Sequence, residues 1–257
     1  MSKNEYVPLR QGQDETLALT KIPVAELADR VLVVGDPDRA AKAAGLLTNA
    51  KPIAKNREYH SYVGEYGGKL ITVASHGVGA AGAACCFEEL CRGGAKYIIR
   101  AGTAGGVQRD VVDGDLLVVT GAVRCDGYTE LVVPMNYPAV PDLQVTSSLV
   151  HTAEESDLNT HSGVVITSAN FYPSPILGND QPKWRDAGAI GVEMEVAALF
   201  ITASIHRVKS GAILAIDGNP LKDEDEDMTS YEPDREIVTK AIDATLETSL
   251  KVLASLE

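Results

Sequence analysis

Short β-branched runs alternate with longer alanine-rich stretches along this chain, and no other feature of the sequence restricts its fold as strongly. The runs Arg30-Val-Leu-Val-Val-Gly35, Lys69-Leu-Ile-Thr-Val-Ala74, Lys96-Tyr-Ile-Ile-Arg100, Asp115-Leu-Leu-Val-Val-Thr120, Gly163-Val-Val-Ile-Thr167 and Gly211-Ala-Ile-Leu-Ala-Ile216 are almost continuously apolar, as strands covered on both faces must be. Segments near 38–47, 79–92, 142–156, 195–206 and 233–255 carry apolar residues at helical spacing. This order predicts an α/β fold, a three-layer α/β/α sandwich about a central mixed, mostly parallel sheet. Gly67-Gly68, between Tyr59–Glu65 and the run at 69–74, predicts a hairpin and hence the mixed sheet. Neither an internal repeat nor a Pro/Ser-rich linker divides the sequence, so residues 1–257 are expected to form a single domain. Lys222-Asp-Glu-Asp-Glu-Asp227 reads as a mobile, self-repelling, solvated loop.

Composition removes several functions. With 23 Lys+Arg against 36 Asp+Glu and a net charge of -13, the chain offers no basic field to a nucleic acid, and any small anion must be held by local positive charge. No apolar run approaches the roughly 18 residues of a membrane span, and the opening Met1-Ser-Lys-Asn-Glu5 lacks the apolar core of a signal peptide. A cytoplasmic protein that binds no membrane is expected. Cys85, Cys86 and Cys91 crowd one helical stretch without zinc-ligand spacing, and His60, His76, His151, His161 and His206 form no metal-binding motif. Reduced thiols and no metal site are expected.

Ligands of open α/β sheets sit at the carboxyl ends of strands. Two such ends carry arginine beside glycine. In Gly35-Asp-Pro-Asp-Arg39, Gly35 permits close approach and Arg39 falls in a helix's first turn; Arg100-Ala-Gly-Thr-Ala-Gly-Gly106 supplies a guanidinium, the Thr103 hydroxyl and what reads as a flexible glycine turn. Together they suit an oxyanion, with Arg57 a weaker third candidate. Taken singly, surface ion pairs and ordinary turns account for each of them, although Arg100, ending an apolar run, is costly to bury unpaired. Gly77-Val-Gly-Ala-Ala-Gly82 is formally G-x-G-x-x-G, but the residue expected to be acidic after the following strand is Arg100. Close helix packing explains the same glycines.

The second half supplies carboxylates. Glu193-Met194-Glu195 precedes an alanine-rich helix; a carboxylate suits a vicinal diol and a thioether suits a sugar face, while helix-start acids are the plainer alternative. Asp217 follows the last apolar run, as a turn residue or as a general acid. Phe171 and Tyr172 could stack on a planar base or pack in the core.

In this order the segments VVGDPDR (33–39), NREYHSY (56–62), SHGVGAAG (75–82), EELCRGGAKYIIRAGTAGG (88–106), GVEMEVA (191–197) and ILAIDGNP (213–220) resemble the hexameric nucleoside phosphorylase family, which comprises purine nucleoside and uridine phosphorylases, and within it the protozoan purine enzymes. The resemblance implies phosphorolysis of a purine ribonucleoside to free base and ribose 1-phosphate, a glycosyl transfer of purine salvage. Inorganic phosphate is the co-substrate and no cofactor is needed. It implies that Gly35, Arg39, Arg100 and Thr103 bind phosphate, and that Arg57 reaches a neighbouring subunit's phosphate in a homo-hexamer built as a trimer of dimers. It further implies that Met194 and Glu195, with Glu193 as a weaker participant, hold ribose; that Phe171, Val192 and the Gly105 backbone border the base; and that Asp217 protonates or hydrogen-bonds N7.

Some residues depart from that pattern. Leu19 stands where related purine enzymes have a histidine reaching the neighbour's ribose 5′-hydroxyl, so 5′-modified nucleosides are expected to be tolerated. The arginine that follows the catalytic aspartate in bacterial purine enzymes is replaced by Lys222 and acids, and Thr103 is like the uridine branch. Against that branch, the loop after Phe171-Tyr172 lacks its Gln-x-Arg reader. A uridine phosphorylase, a nucleoside-binding or storage protein without turnover, and a hydrolytic nucleosidase remain the alternatives.

Overall fold

The structure, a computed structural model, describes residues 10–221 and 235–257; the acidic run at 222–227 and the opening residues lie outside them. In chain order the elements are β1 (Arg30–Val34), α1 (Pro37–Ala44), β2 (Thr48–Asn56), β3 (Tyr59–Tyr66), β4 (Lys69–Ser75), α2 (Ala80–Gly93), β5 (Tyr97–Gly106), β6 (Leu116–Cys125), α3 (Leu143–Ala153), β7 (Thr160–Ser168), α4 (Gln181–Asp186), β8 (Gly191–Glu193), α5 (Val196–His206), β9 (Lys209–Gly218) and α6 (Glu236–Ser255). Every apolar run is a strand and every helical spacing a helix. The expected hairpin is β3–β4, turned by Gly67 and Gly68 at φ +56° and +75°.

The strands form one mixed nine-stranded sheet in the order β2-β3-β4-β1-β5-β8-β7-β6-β9. β1–β4, β1–β5, β5–β9, β6–β7 and β7–β8 are parallel, whereas β2–β3, β3–β4, β5–β8 and β6–β9 are antiparallel. Because β9 pairs with both β5 and β6, the second half of the sheet curls into a closed ring. Alternate residues feed opposite layers: Val31, Val33, Ile98 and Leu214 pack with α2 and α5, while Leu32, Val34, Ile99 and Ile213 pack with α1, α3 and α6. Fully burying one such side chain contributes roughly 1.5–3 kcal/mol. Cys85, Cys86 and Cys91 lie on α2 as free thiols, the last two buried.

One expectation is corrected. The glycine stretch after Arg100 is not a turn: β5 continues to Gly106, with Gly102 opposite Leu214 and Thr103 opposite Ala215 on β9. Its backbone belongs to the sheet, so this segment presents side chains rather than a nest of amides. No helix among the described residues is long and apolar enough to cross a membrane.

Candidate active site

The carboxyl ends of β1, β5 and β9 converge with β8 on a cavity of about 800 Å³. It is lined by Gly35, Arg39, Arg100, Thr103, Gly105, Phe171, Val192, Glu193, Met194, Glu195 and Asp217. Of the phosphate-, ribose- and base-binding residues that the resemblance implies, and Asp217, Arg57 alone does not line it. Arg57 is exposed on the β2–β3 turn at φ +53°.

Local chemistry fixes each wall. Asp36 caps α1 by accepting from the Asp38 N–H at 2.9 Å, and Pro37 starts the helix, which puts Arg39 in its first turn facing the cavity. A Cβ on Gly35 would meet no protein atom nearer than 3.8 Å, so glycine there keeps the cavity open rather than relieving a clash. Arg100 folds back over its own strand. A Cβ on Gly102 would lie 2.1 Å from Arg100 Nη1, which is why the arginine is followed two residues later by glycine.

Arg100 is 4% exposed. Its Nη2 donates to Glu195 Oε2, and Nη1 lies 3.6 Å from Glu193 Oε2. Its Nε and Nη1 have no hydrogen-bond acceptor among the described residues. A buried guanidinium with two unused donors is expensive unless an anion completes it.

The two acids differ in role. Glu193 accepts from the Thr167 hydroxyl at 2.6 Å and from the main-chain N–H groups of Glu195 and Val196 at 2.7 and 2.9 Å, so its carboxylate ties the start of α5 to β7. Burial pushes its pKa up, Arg100 opposes this and Glu195 adds to it. Glu195 accepts from the Gly79 N–H at 2.7 Å through Oε1 and from Arg100 through Oε2, which leaves lone pairs for further donors. Half-buried Met194 lines the cavity between them. The amide of Gly79 thus serves a carboxylate, and Ala80, Ala83 and Ala84 are buried against the sheet, the close packing that the G-x-G-x-x-G spacing also allowed.

Asp217 is 6% exposed and lies within β9. In the turn after it, Asn219 Oδ1 accepts from the Leu221 N–H at 2.9 Å. Phe171 is 43% exposed, with its ring edge-on to Tyr172 at 5.1 Å. It borders the cavity instead of filling the core.

Several lining residues escaped the sequence reading. Arg235, at the start of α6, pairs with Asp113 at 2.7 Å and donates through Nη2 to the Asp217 carbonyl at 3.2 Å. Arg235 thus reaches the Asp217 backbone from 18 residues further along the chain. Gln181 on α4 also lines the wall near Phe171. Beneath the Arg100 end, His76 is fully buried, edge-on to Phe87 at 5.2 Å, with Nδ1 2.7 Å from the Gly77 carbonyl. Burial, helped by nearby Arg100, lowers its pKa to about 4 and keeps it neutral.

The fold is shared with known proteins. Residues 29–254 match the model of the phosphorylase superfamily. The chain belongs to the phosphorylase superfamily. Within it, the chain is 40% identical over 210 residues to a purine nucleoside phosphorylase of Plasmodium falciparum, covering 81% of this chain and 86% of that one. It is 35% identical over 207 residues to a uridine phosphorylase of Treponema pallidum, covering 77% and 80%. The crystal structure of the purine nucleoside phosphorylase from Toxoplasma gondii in complex with immucillin-H superposes with a TM-score of 0.88 at 30% identity, covering 96% of this chain and 98% of that one. This phosphorylase-superfamily chain thus has relatives named for both purine and uridine substrates.

Proposed function

We propose that this phosphorylase transfers the ribosyl group of a purine ribonucleoside of the inosine or guanosine type to inorganic phosphate. A phosphate oxygen forms the bond to ribose C1′ as the bond to the base nitrogen breaks, giving ribose 1-phosphate and the free base. The carrying observation is the buried Arg100 guanidinium, whose Nε and Nη1 lack acceptors in the cavity that also holds Asp217. Arg39, the Thr103 hydroxyl and the Gly35 backbone complete an anion site. An anion held there also stabilises the positive charge that develops on the ribose. Glu195 has acceptor capacity for the ribose diol, Met194 packs on the sugar, and Glu193 acts by fixing Glu195 and Arg100. Phe171 stacks on the base, which Val192 and Gly105 border. Asp217 donates to N7, so the base departs neutral. This chemistry uses no cofactor, metal or covalent enzyme intermediate.

The same reading assigns Arg57 to a neighbouring subunit's phosphate in a homo-hexamer made of dimers. Supporting it, Asn56 Nδ2 donates to the Leu19 carbonyl at 2.7 Å, and Glu89 accepts from Thr20 N–H at 2.8 Å. Leu19 and Arg57 therefore form one tethered, exposed patch that a partner could receive. A uridine phosphorylase is the second reading, favoured by Thr103 and by the Treponema relative. The test is a nucleoside panel incubated with and without phosphate. Phosphate-dependent release of hypoxanthine or guanine supports the purine assignment; release of uracil alone moves the chain to the second reading.

A further inference from the structure

Gln181 is 8% exposed, the first residue of α4, and lines the cavity alongside Ser168, Asn170, Phe171 and Val192. Its Oε1 is buried and has no hydrogen-bond partner among the described residues. Its main-chain N–H is satisfied, donating to Asn179 Oδ1 at 3.0 Å. The helix that carries it is pinned from below, because Gln108 Nε2 donates to the carbonyls of Arg185 at 3.0 Å and Ala189 at 2.8 Å. A buried amide oxygen without a donor is costly. It is suited to a ligand that brings a donor.

We propose that Gln181 determines base specificity by pairing its carboxamide with an adjacent N–H and C=O on the base. The amide oxygen accepts from the ring N–H and the amide nitrogen donates to the carbonyl oxygen. Hypoxanthine, guanine and uracil carry that edge, and unsubstituted purine does not. The inference rests on the proposal that the cavity takes a nucleoside, with the base against Phe171. It adds a reader on α4 to the wall already described. A site built around such a pair rejects ligands lacking the edge because its own polar group is then left unpaired.

The test compares wild type with Gln181→Met, which keeps side-chain length and removes both hydrogen-bonding ends. kcat/KM is measured for inosine and for purine riboside with saturating phosphate. Dissociation constants for free hypoxanthine and free purine are measured by calorimetry, and a melting curve verifies folding. The expected result is a loss of about tenfold or more for inosine and hypoxanthine, with purine riboside and purine changed less than about twofold. If Gln181→Met does not fold, Gln181→Asn, whose shorter amide falls short of the base, is expected to give the same selective loss. Equal losses on both ligand pairs, or none, overturn the proposal. A wild type that binds hypoxanthine through Gln181 yet turns over no nucleoside refutes the proposed function and leaves this inference standing.

Discussion

At the scale of single residues, the site is organised by the charge of Arg100. The sequence exposes it because an arginine closing an apolar run is costly to bury without an anion. Its counter-charges were less legible: Glu193 and Glu195 look alike in the sequence, and only the fold shows that one anchors α5 while the other keeps lone pairs toward the cavity. Gln181, Asp113 and Arg235 were not legible at all, since each is an ordinary surface residue type whose neighbours are distant in sequence. Arg39→Ala should raise the phosphate concentration for half-saturation about 10–100-fold, the equivalent of one charge-assisted bond at roughly 1.5–3 kcal/mol. The nucleoside KM should hold within about threefold, as steady-state kinetics in both substrates would show. Asp217→Asn should lower kcat for inosine about a hundredfold or more, and much less for a nucleoside whose base leaves readily as an anion. Unaltered inosine turnover would return Asp217 to a backbone role.

At the scale of elements, apolar strands and amphipathic helices were readable, and the exceptions have physical reasons. β2 is exposed or half-buried along its whole length and includes Pro52, so as an edge strand it shows no alternation. β8 has 3 residues and α4 has 6, too few to display a period. The stretch 100–106 misleads because its glycines serve close approach: Gly102 makes room for the Arg100 side chain, and a Cβ on Gly106 would lie 2.5 Å from the Val111 carbonyl oxygen. Gly102→Ala should therefore displace the guanidinium. Phosphate saturation should weaken about tenfold or more, while circular dichroism stays unchanged; a normal saturation curve would contradict this packing. Glu193→Ala removes the tie between α5 and β7 and leaves Arg100 with one fewer counter-charge. It should cost about 3–5 kcal/mol, read as a lower denaturant midpoint, with Glu193→Gln losing less.

At the scale of the whole molecule, the layers and the hairpin were foreseeable from pattern, but the ring closed by β9 was not, because closure depends on how far the sheet curls. The fully buried His76 makes overall stability depend on pH. Its pKa is about 4 in the fold against 6.5 for the free side chain, so between those values the unfolded chain takes up a proton that the folded chain refuses. Its contribution is complete above pH 6.5 and falls as pH drops toward 4, a loss of about 3 kcal/mol. Urea midpoints at fixed protein concentration should fall more steeply over that window for wild type than for His76→Gln; parallel curves would exclude His76 as the source. The measurement closest to the central claim is phosphorus NMR of the wild-type protein with inosine and phosphate. A ribose 1-phosphate signal should grow in step with free hypoxanthine and vanish in Arg100→Ala. Hypoxanthine released equally fast without phosphate, with free ribose as the other product, would contradict it.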